Sequence, residues 1–486
     1  MAEILSKQAA SDIVDQLSSL YKQATSRLRA ALVSYLEDGE IPESQARNSG
    51  AFAYPELRIT YKPAGKPPVF SRAFGKLTGP GVYITTITEP ELFRDYLEEQ
   101  LIMLLDDYQI EIEVGTSSVE IPYSYVLDGS DSLNMENADP SELARIFPFA
   151  DLGTIGDEIA DGEFISTDGT LPLALFDGPR TDLSLHRLYH YCGTPFEHIQ
   201  SFILFTNYHR YVDEFVRWSL RQLRESDEYV ELSVSGFVSV DRNTKNAEEK
   251  IANAPWQKYQ MPAYHLRAKD GRGITLVNIG VGPTNAKTIT EHLAVLRPQC
   301  WLMIGHCGGL RQSQKLGDYV LAHAYHRNDH VLDDVLPLDI PIPALAEIQV
   351  ALAEATARVS GEGMDKVKSR LRTGTVVSKD DRNWELRYTQ EAKMINRSRA
   401  IAVDLESATI AANGFRFRVP YGTLLCVSDK PLHGEIKLPG AANLFYQKSI
   451  REHMLIGFET INILKNDVAM GLHSRKLRAF EEPPFR

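Results

Sequence analysis

The sequence predicts an α/β protein of two domains, in which a three-layer α/β/α domain with a mixed sheet follows a smaller α+β domain. From Tyr229 onward, short apolar runs alternate with helical patterns, which is typical of a mixed, mostly parallel sheet covered by helices on both faces. Before Tyr229, helices and short strands are separated by segments rich in Gly, Pro and Asp. We place the boundary near Ser226, which gives domains of residues 1–225 and 226–486.

The first domain has few regular elements. Apolar residues such as Ile13, Leu17 and Leu20 recur near helical spacing, and the alternation of apolar and acidic residues over 110–114 indicates a half-buried strand. We predict helices over 1–40, 89–106, 181–191 and 211–224, strands over 57–61, 110–114 and 202–205, and mainly loops with short strands over 128–180.

The second domain is more regular. Strands are predicted near 230–240, 263–268, 274–281, 299–305, 318–325, 371–378, 400–403 and 420–428. Helices are predicted near 284–296, 343–358, 385–395, 404–413 and 443–464. In a sheet domain of this kind, the carboxyl ends of the strands offer places for a site.

The composition limits the classes of function. Lys and Arg number 52 against 65 Asp and Glu, so the net charge is −13, which argues against a nucleic-acid polymer as partner. No apolar run approaches the roughly 20 residues needed to cross a bilayer, so no membrane partner is expected. The four cysteines, Cys192, Cys300, Cys307 and Cys426, show no metal-ligand spacing. We interpret them as reduced thiols of a cytoplasmic protein and predict no metal site.

Two apolar segments end on carboxylates. One runs from Leu424 to Ser428 and Asp429, and the other runs from Ala402 to Glu406. Taken alone, Asp429 is better explained as the cap of a turn. Clefts form at the carboxyl ends of strands in open α/β sheets. Two strands that bring acids to one edge of a sheet therefore make an active site the more plausible interpretation.

The loop after the predicted strand 274–281 contains Gly282, Thr284 and Asn285 and begins a helix. Glycine lets the backbone approach a ligand, and the amides at a helix start favour an anion. A plain tight turn is the more common interpretation, and the spacing does not match the dinucleotide fingerprint G-x-G-x-x-G. The three residues are candidate substrate contacts.

Two further strands run into candidate side chains. His306 and Gly308 follow one strand, and Arg382 and Trp384 follow another. His306 either donates to a ligand oxygen or satisfies a loop carbonyl. Trp384 offers a flat apolar face on which a base can stack, and packing against the core at the start of a helix is equally compatible with its position.

Four short segments carry a resemblance to a known family: GVG at 280–282, GHCGG at 305–309, VDLES at 403–407 and VSD at 427–429. In this order they resemble the nucleoside phosphorylase/nucleosidase superfamily over roughly residues 229–465. With HYCGTPFEHIQSFILFTNYHRYVDEFVRW in the first domain and LLCVSDKPLHGEIKLPG near the end, the whole chain resembles the AMP nucleosidase family. The resemblance implies a nucleoside phosphorylase fold and, in purine salvage and nucleotide metabolism, the hydrolysis of AMP to adenine and ribose 5-phosphate.

The resemblance also implies roles for residues. Asp429, in the pair with Ser428, is the acid that protonates the adenine leaving group, and Glu406 holds the ribose hydroxyls. Leu405 stands where the superfamily has a Met beneath the sugar. Trp384 is the candidate for stacking on the base.

The departures from the superfamily pattern concern the nucleophile. Met303 and His306 stand where phosphorylases have an Arg and a Ser that hold the attacking phosphate, and 240–245 lack the Gly-Asp-Pro-x-Arg pattern. The resemblance therefore implies water as the nucleophile, with His306 as one candidate for its activation. His306 and Lys245 could still hold an anion.

The 5′-phosphate of AMP needs cationic or amide donors, and the candidates are Arg382, Arg242, Lys245, His209 and Arg210. The tracts 190–195 and 206–211 are dense in His and hydrogen-bonding aromatic residues. We expect both tracts to face the cleft, with a domain interface as the alternative. The first domain is then expected to gate the catalytic domain and to select a 5′-phosphorylated substrate.

The resemblance implies no cofactor for the bond cleavage, MgATP as an allosteric activator, phosphate as an inhibitor and a homohexameric assembly. Two other functions remain open: a phosphate-dependent nucleoside or nucleotide phosphorylase, and a non-catalytic nucleotide-sensing module. Release of ribose 5-phosphate from AMP without phosphate separates hydrolysis from phosphorolysis. The pairing of Asp429 with Glu406 speaks against the sensing module, which has no need of the acid.

Overall fold

The computed structural model describes residues 2–42, 47, 49–63, 65–66, 68–69, 72–127, 139–435, 439–467, 472 and 474–486. The chain forms two compact units, residues 1–186 with 478–486 and residues 187–477. Part of the loop prediction, residues 128–138, and part of the family motif near the end, residues 436–438, lie outside the described residues.

The first unit is built on one four-stranded sheet, in the order β3-β1-β2-β4. Its strands are β1 Ala53–Tyr61, β2 Gly81–Thr86, β3 Ile110–Glu120 and β4 Leu171–Pro172. Its helices are α1 Ala2–Asp38, α2 Arg94–Asp107, α3 Pro140–Ile146, α4 Glu158–Asp161 and α5 Gly178–Cys192, within which the division between the units falls, and a 3-10 turn spans Tyr123–Val126. β1 pairs antiparallel with β2 and β3, and β2 pairs parallel with β4.

The core of the first unit follows from the alternation along β1. Leu57, Ile59 and Tyr61 are buried, whereas the residues between them are half-buried, as in a strand with one face on the core. Leu28 and Leu32 of α1 lie in one buried apolar cluster with residues of β1 and of the segment after α3. The predicted long helix and the predicted strand are thus packed together.

Several predicted bounds in the first unit differ from the structure. β1 begins at Ala53 rather than at residue 57, and β3 continues to Glu120. β2 was not predicted, because its sequence GVYITT follows a Gly- and Pro-rich stretch. The predicted helix 89–106 begins only at Arg94, since Glu89 has a φ of +43°, which a helix cannot contain.

The second unit contains a ten-stranded mixed sheet in the order β13-β12-β11-β14-β10-β5-β9-β8-β6-β7. Its strands are β5 Phe202–Thr206, β6 Tyr229–Val234, β7 Val238–Val240, β8 Ala263–Ala268, β9 Ile274–Asn278, β10 Cys300–Gly309, β11 Tyr319–Asn328, β12 Leu371–Lys379, β13 Ala402–Asp404 and β14 Tyr421–Asp429. Its helices are α6 His209–Glu225, α7 Ala247–Ala252, α8 Pro283–Leu293, α9 Ala346–Ser360, α10 Met364–Val367, α11 Tyr388–Ser398, α12 Ser407–Arg416 and α13 Pro439–Asp467. Short 3-10 turns span Phe196–His198, Trp256–Lys258, Ala294–Leu296, Trp384–Arg387, Pro431–His433 and Ser474–Leu477.

The arrangement of the strands brings several strand ends to one place. β5, β9, β10 and β14 run parallel to one another, so their carboxyl ends lie at the same edge. β13 pairs with β12 and also with β10, where Gly308 lies opposite Val403, so β10 to β14 close on themselves. Helices α6 and α9 pack on α13, and α8 packs on α12, which gives the predicted helical layers over the sheet.

The predicted domain boundary near Ser226 differs from the division that the structure shows. β5 lies between β10 and β9 in the sheet of the second unit, and all five of its residues are buried. An apolar strand of this kind is stable only with neighbours on both edges and both faces. The second unit therefore begins near Arg187 and includes α6, and residues 478–486 belong to the first unit.

Two smaller differences concern the start of the second unit. The predicted strand 230–240 is two antiparallel strands, because Gly236 and Phe237 have φ values of +94° and +59° and turn the chain. The short helix α7 was not predicted. Among the described residues, no helix has the length and apolar character needed to cross a membrane.

Candidate active site

The strand ends of the second unit surround a cavity of about 610 Å³. The residues that line it come from the ends of β5, β10, β13 and β14 and from the loops that follow β9 and β12: Asn207, Tyr208, Val281, His306, Cys307, Gly308, Arg382, Trp384, Glu385, Val403, Asp404, Leu405, Glu406, Asp429 and Pro431. The structure thus brings together Asp429, Glu406, Leu405, Trp384, His306, Gly308 and Arg382, which the sequence placed in the site.

Asp429 is the last residue of β14 and is half-buried at the cavity. Its Oδ1 accepts a hydrogen bond of 2.7 Å from the hydroxyl of Ser428, whose Oγ also lies 3.3 Å from the carbonyl oxygen of Cys307. Ser428 therefore orients the carboxyl group without lining the cavity itself. In the sheet register Asp429 lies beside Gly308, where a Cβ would come within 3.1 Å of Cγ1 of Val403 in the cavity lining.

Glu406 is fully buried, and both of its carboxyl oxygens have donors. Oε1 accepts from the backbone N–H of Gly282 at 2.7 Å, and Oε2 accepts from Nδ2 of Asn207 at 2.9 Å. The φ of +120° at Gly282 lies in the region that favours glycine. The predicted glycine loop therefore contributes to the site by holding Glu406.

A second buried carboxyl group, Asp404, lies two residues before Glu406. It accepts from the hydroxyl of Ser378 at 2.5 Å and from the backbone N–H of Ser407 at 2.9 Å, so it caps α12. Burial raises the pKa of Asp404. Burial, with the charge of Asp404 as a second cause, raises the pKa of Glu406 to about 8. Near neutral pH Glu406 therefore holds a proton for much of the time in the absence of ligand.

Trp384 packs against the core and also lies in the cavity lining. It is only 4% exposed and packs with Val377 and Val403 in an apolar cluster, and it also lines the cavity. Leu405, half-buried, lies in the lining as well. Trp384 and Leu405 thus give the lining an apolar component beside its carboxyl groups.

Thr284 and Asn285 do not line the cavity. Nδ2 of Asn285 donates to the carbonyl oxygen of Ile279 at 2.9 Å and so closes the loop that carries Gly282. The carbonyl oxygen of Thr284 accepts from the hydroxyl of Thr288 within α8. Asn285 therefore fixes the shape of the loop, whereas the bond to Thr284 lies within α8.

The structure places the five cationic candidates for the phosphate in different surroundings. Arg382 lines the cavity. Arg242 pairs with Asp227 at 2.9 Å, and Lys245 is exposed in the same loop region. The ring of His209 stacks on Trp256 with centroids 4.1 Å apart. The guanidinium of Arg210 lies 5.8 Å from the ring of Tyr208, itself a cavity residue.

The tract 206–211 contributes to the cavity as expected, but the tract 190–195 does not appear in its lining. Thr194 lies 2.9 Å from Nε2 of the buried His265, and Cys192 accepts a hydrogen bond at its carbonyl from Ser235. These contacts, all within the second unit, join Cys192 and Thr194 to β8 and to the residue that follows β6. The hydrogen-bonding groups of this tract therefore satisfy the interior of the fold.

Asn207 and Asp404 line the cavity but were not predicted individually as site residues. Asn207 directly follows β5, so the rule that strand ends line clefts would have found it. The sequence analysis placed Asn207 only within the tract 206–211, which was expected to face the cleft. Asp404 was part of the acidic triplet, but its capping bond to Ser407 depends on where α12 begins.

Comparisons with known proteins identify the family of the chain. A model of the family described as bacterial AMP nucleoside phosphorylase N-terminus matches residues 12–170, and a model of the phosphorylase superfamily matches residues 238–447. The AMP nucleosidase of Escherichia coli (strain K12) is 58% identical over 474 residues, which cover 97% of each chain.

Two more distant relatives match part of the chain. A 5′-methylthioadenosine/S-adenosylhomocysteine nucleosidase of Desulfotalea psychrophila is 26% identical over 208 residues, covering 42% of this chain and 85% of its own. Among solved structures, an AMP nucleosidase of Bacteroides thetaiotaomicron is 25% identical, covering 59% of this chain and 98% of its own, with a TM-score of 0.43.

Proposed function

This chain belongs to the AMP nucleosidase family, and we propose that it hydrolyses the N-glycosidic bond of AMP to adenine and ribose 5-phosphate. The observation that carries the proposal is that two strand ends deliver Asp429 and Glu406 to one cavity, whose volume of about 610 Å³ suits a nucleotide. Around the two carboxyl groups, one part of the lining is apolar and another contains Arg382.

Asp429 is proposed as the general acid. Adenine is a poor leaving group until a proton reaches its N7, and the Asp429 carboxyl group lies at the cavity with its Oδ1 fixed by Ser428. As the C1′–N9 bond breaks, its electron pair moves onto the base and the proton of Asp429 passes to N7. A positioned acid of this kind typically accelerates a reaction by roughly 10²–10⁴-fold.

Glu406 is proposed to hold the 2′- and 3′-hydroxyls of the ribose. A carboxylate has about four lone-pair positions, and the donors Gly282 and Asn207 occupy one on each oxygen. The remaining positions suit two hydroxyl donors. As positive charge develops on the ribose, a carboxylate here stabilises the transition state more than the ground state.

The base is proposed to pack against Trp384, and Leu405 is proposed to lie beneath the sugar. The 5′-phosphate is proposed to bind Arg382. Replacing Arg382 with Ala should raise KM for AMP at least about tenfold, as loss of a charge-assisted hydrogen bond predicts, while the KM for adenosine changes little. Arg242→Ala is the matched control, because Arg242 pairs with Asp227 and is not in the cavity lining.

Water is proposed as the nucleophile. The assay that tests this provides AMP in phosphate-free buffer and measures free ribose 5-phosphate and adenine. Phosphorolysis would require added phosphate and would give a sugar that carries phosphate at C1′ as well. If no ribose 5-phosphate forms in phosphate-free buffer but adenine is released when phosphate is added, the reaction is phosphorolysis and not hydrolysis.

No cofactor is proposed for the bond cleavage. MgATP activation, phosphate inhibition and a homohexamer are proposed for this chain as they are implied by the family resemblance, with the first unit as the regulatory part. That unit has a cavity of about 620 Å³ whose lining includes Ser49, Thr116, Ser117 and Ser118, which suits a polar ligand. Arg47, its basic side chain, donates to Glu120 at 3.0 and 2.5 Å, so an anion there would compete with that pair.

Initial rates at increasing MgATP and phosphate test the regulation, with Arg47→Ala as the variant whose response should change. Light scattering on the full chain tests the hexamer. A cytoplasmic location is proposed because none of the four cysteines, all among the described residues, forms a disulfide. Fractionation of cells that express the chain checks this. A role in purine salvage is proposed from the family resemblance.

A further inference from the structure

A line of hydrogen-bonding groups, called the relay below, runs through the interior of the second unit from Leu424 of β14 to His306 at the cavity. Nε2 of His453 lies 3.0 Å from the carbonyl oxygen of Leu424. Nδ1 of His453 lies 2.7 Å from the hydroxyl of Tyr211, and this hydroxyl lies 3.4 Å from Nε2 of His306. His453 and Tyr211 are fully buried, whereas His306 lines the cavity.

The positions of the protons along this line follow from chemistry. A carbonyl oxygen only accepts hydrogen bonds, so Nε2 of His453 carries the proton. Burial lowers the pKa of His453 to about 3, so the ring is neutral and its Nδ1 is an acceptor. The Tyr211 hydroxyl must then donate to His453. Its oxygen is left to accept from Nε2–H of His306.

We propose that Tyr211 and His453 are positioning residues that hold His306 as its Nε2–H tautomer, so that Nδ1 of His306 is the acceptor that takes a proton from the attacking water. The inference deepens the proposed hydrolysis of AMP and rests on it. The hydrogen bond made by one ring nitrogen of a His decides which nitrogen is basic. Without the acceptor at Tyr211, the other tautomer would present a donor where the reaction needs a base.

The rings around His306 also restrict its plane. Its centroid lies 5.3 Å from that of Tyr211, tilted by 54°, and 6.0 Å from that of Tyr208, nearly perpendicular at 81°. His306 and Leu424 belong to the paired strands β10 and β14, and β14 ends on Asp429. The relay therefore begins and ends on the two strands that carry the proposed base and the proposed acid.

The proton inventory of the step balances. The water oxygen forms a bond to C1′ as the C1′–N9 bond breaks, and the electron pair of that bond moves onto adenine. Asp429 gives its proton to N7, while one water proton passes to Nδ1 of His306. The products are adenine and ribose 5-phosphate, and exchange with solvent returns the proton from His306 to Asp429.

A double-mutant cycle tests the relay in the full-length protein. Tyr211→Phe keeps the ring and removes the hydroxyl, and it should lower kcat by roughly tenfold or more with KM within about twofold, as for other partners that orient an imidazole. His306→Gln alone should lower kcat by roughly 10²-fold or more. In the double variant, Tyr211→Phe should cause no further loss, since it acts only through His306. Equal losses from Tyr211→Phe with and without His306 would overturn the proposal.

Two further variants separate orientation from packing. His453→Asn keeps an acceptor near the position of Nδ1 and should retain more kcat than His453→Leu, although both lose the bond to Leu424. Tyr264→Phe is the control: Tyr264 is buried, and among the described residues its hydroxyl has no hydrogen-bond partner. It should leave kcat unchanged. If His453→Asn and His453→Leu lose kcat equally, the relay contributes packing alone.

The proposed function and the relay fail in different ways. If the wild-type protein releases no ribose 5-phosphate from AMP in phosphate-free buffer, the proposed function fails and the relay falls with it. If the wild-type protein hydrolyses AMP and Tyr211→Phe keeps its full kcat, the relay alone is wrong.

Discussion

Each unit of this molecule contains a buried carboxyl group with a raised pKa, Asp182 in the first unit and Glu406 in the second, and the surroundings of the two groups differ. Asp182 in the first unit is 1% exposed and accepts from the hydroxyl of Tyr54 at 2.6 Å and from Oγ1 of Thr88 at 2.5 Å. Burial raises the pKa of Asp182 to about 7. Glu406 in the second unit is as deeply buried, and burial raises its pKa to about 8.

The difference lies in what surrounds the two carboxyl groups. The hydroxyls around Asp182 come from β1 and the segment after β2, and Tyr21 of α1 extends the network, with its hydroxyl 3.1 Å from Oγ1 of Thr88. These bonds tie elements of the first unit together. Glu406 instead lies in the lining of a cavity, with donors that leave part of each oxygen for a ligand. A raised pKa thus marks burial, and access from a cavity is what makes a buried acid a candidate for chemistry.

The largest expected effect is at Asp429. Asp429→Asn keeps the shape of the side chain but removes the acidic proton, so kcat for AMP should fall by roughly 10²–10⁴-fold while binding changes only a few-fold. Steady-state kinetics together with direct binding of AMP check this. A variant that retains more than about a tenth of the wild-type kcat would contradict the role of Asp429 as general acid.

The comparison also shows what the sequence could and could not reveal. Asp429 and Glu406 were found because both lie at the ends of apolar strands, and strand ends share an edge in such sheets. The bond from Asn207 to Glu406 was not predicted, because β5 joins the sheet far from its neighbours in the chain. The sequence distance between β5 and its partner β10 gives no local signal of their pairing.

The first unit shows the complementary limit. Asp182 appeared in the sequence as a residue near the start of a helix, and nothing local indicated its bonds to Tyr54 and Thr88. Those partners lie on other elements, so only the packing of the unit reveals them. Likewise, the relay from Leu424 to His306 joins β14, α13, α6 and β10, and its members share no spacing pattern.

The next largest effect concerns the stability of the first unit. The folded pKa of Asp182, about 7, lies above its usual value of 3.8, so folding favours the protonated form. The stability is therefore complete below about pH 4 and falls as the pH rises towards 7. A difference of one in pKa corresponds to about 1.4 kcal/mol, so ionisation of Asp182 costs the fold on the order of 4 kcal/mol.

Asp182→Asn removes this ionisation, so its stability relative to the wild type should improve as the pH rises from 5 to 8. Glu89 and Asp177, which also raise the pKa of Asp182 by their charge, remain in both proteins. Hydrogen exchange of peptides from residues 50–186 measures the change in the first unit. The four tryptophans, Trp218, Trp256, Trp301 and Trp384, all lie in the second unit, so their fluorescence provides the control. A pH slope that is the same in both proteins would refute the assignment.

A smaller effect is expected from Glu406→Gln, in kcat rather than in stability. The neutral amide still binds ribose hydroxyls but does not stabilise the cationic transition state, so kcat should fall by roughly 10²-fold and KM should change less. If only KM changes, Glu406 is a ground-state ligand and nothing more.

The pH profile refines the same role. Because the pKa of Glu406 is raised to about 8, its carboxylate forms as the pH rises towards 8, and kcat/KM of the wild type should rise with it. The hydroxyl groups of bound AMP donate to Glu406 and so favour its carboxylate form. The rise of kcat with pH, which reports the AMP-bound protein, should therefore occur at lower pH than the rise of kcat/KM. Glu406→Gln should abolish this limb. A limb that persists in the variant belongs to another group.

The smallest effects come from removing one donor at each carboxyl group, and they set the two networks side by side. Tyr54→Phe removes a hydroxyl that donates to Asp182 and should destabilise the first unit by about 1–3 kcal/mol, more at pH 8 than at pH 5, because a charged acceptor loses more than a neutral one. Asn207→Ala removes the donor to Oε2 of Glu406 and should move the rising limb of kcat/KM to higher pH, because the lost bond stabilised the carboxylate. Each variant should affect only its own readout. Tyr54→Phe should leave the rise of kcat/KM with pH unchanged, and Asn207→Ala should leave hydrogen exchange in residues 50–186 unchanged. A shift of the limb in Tyr54→Phe would show that the carboxyl network of the first unit contributes to catalysis as well as to stability.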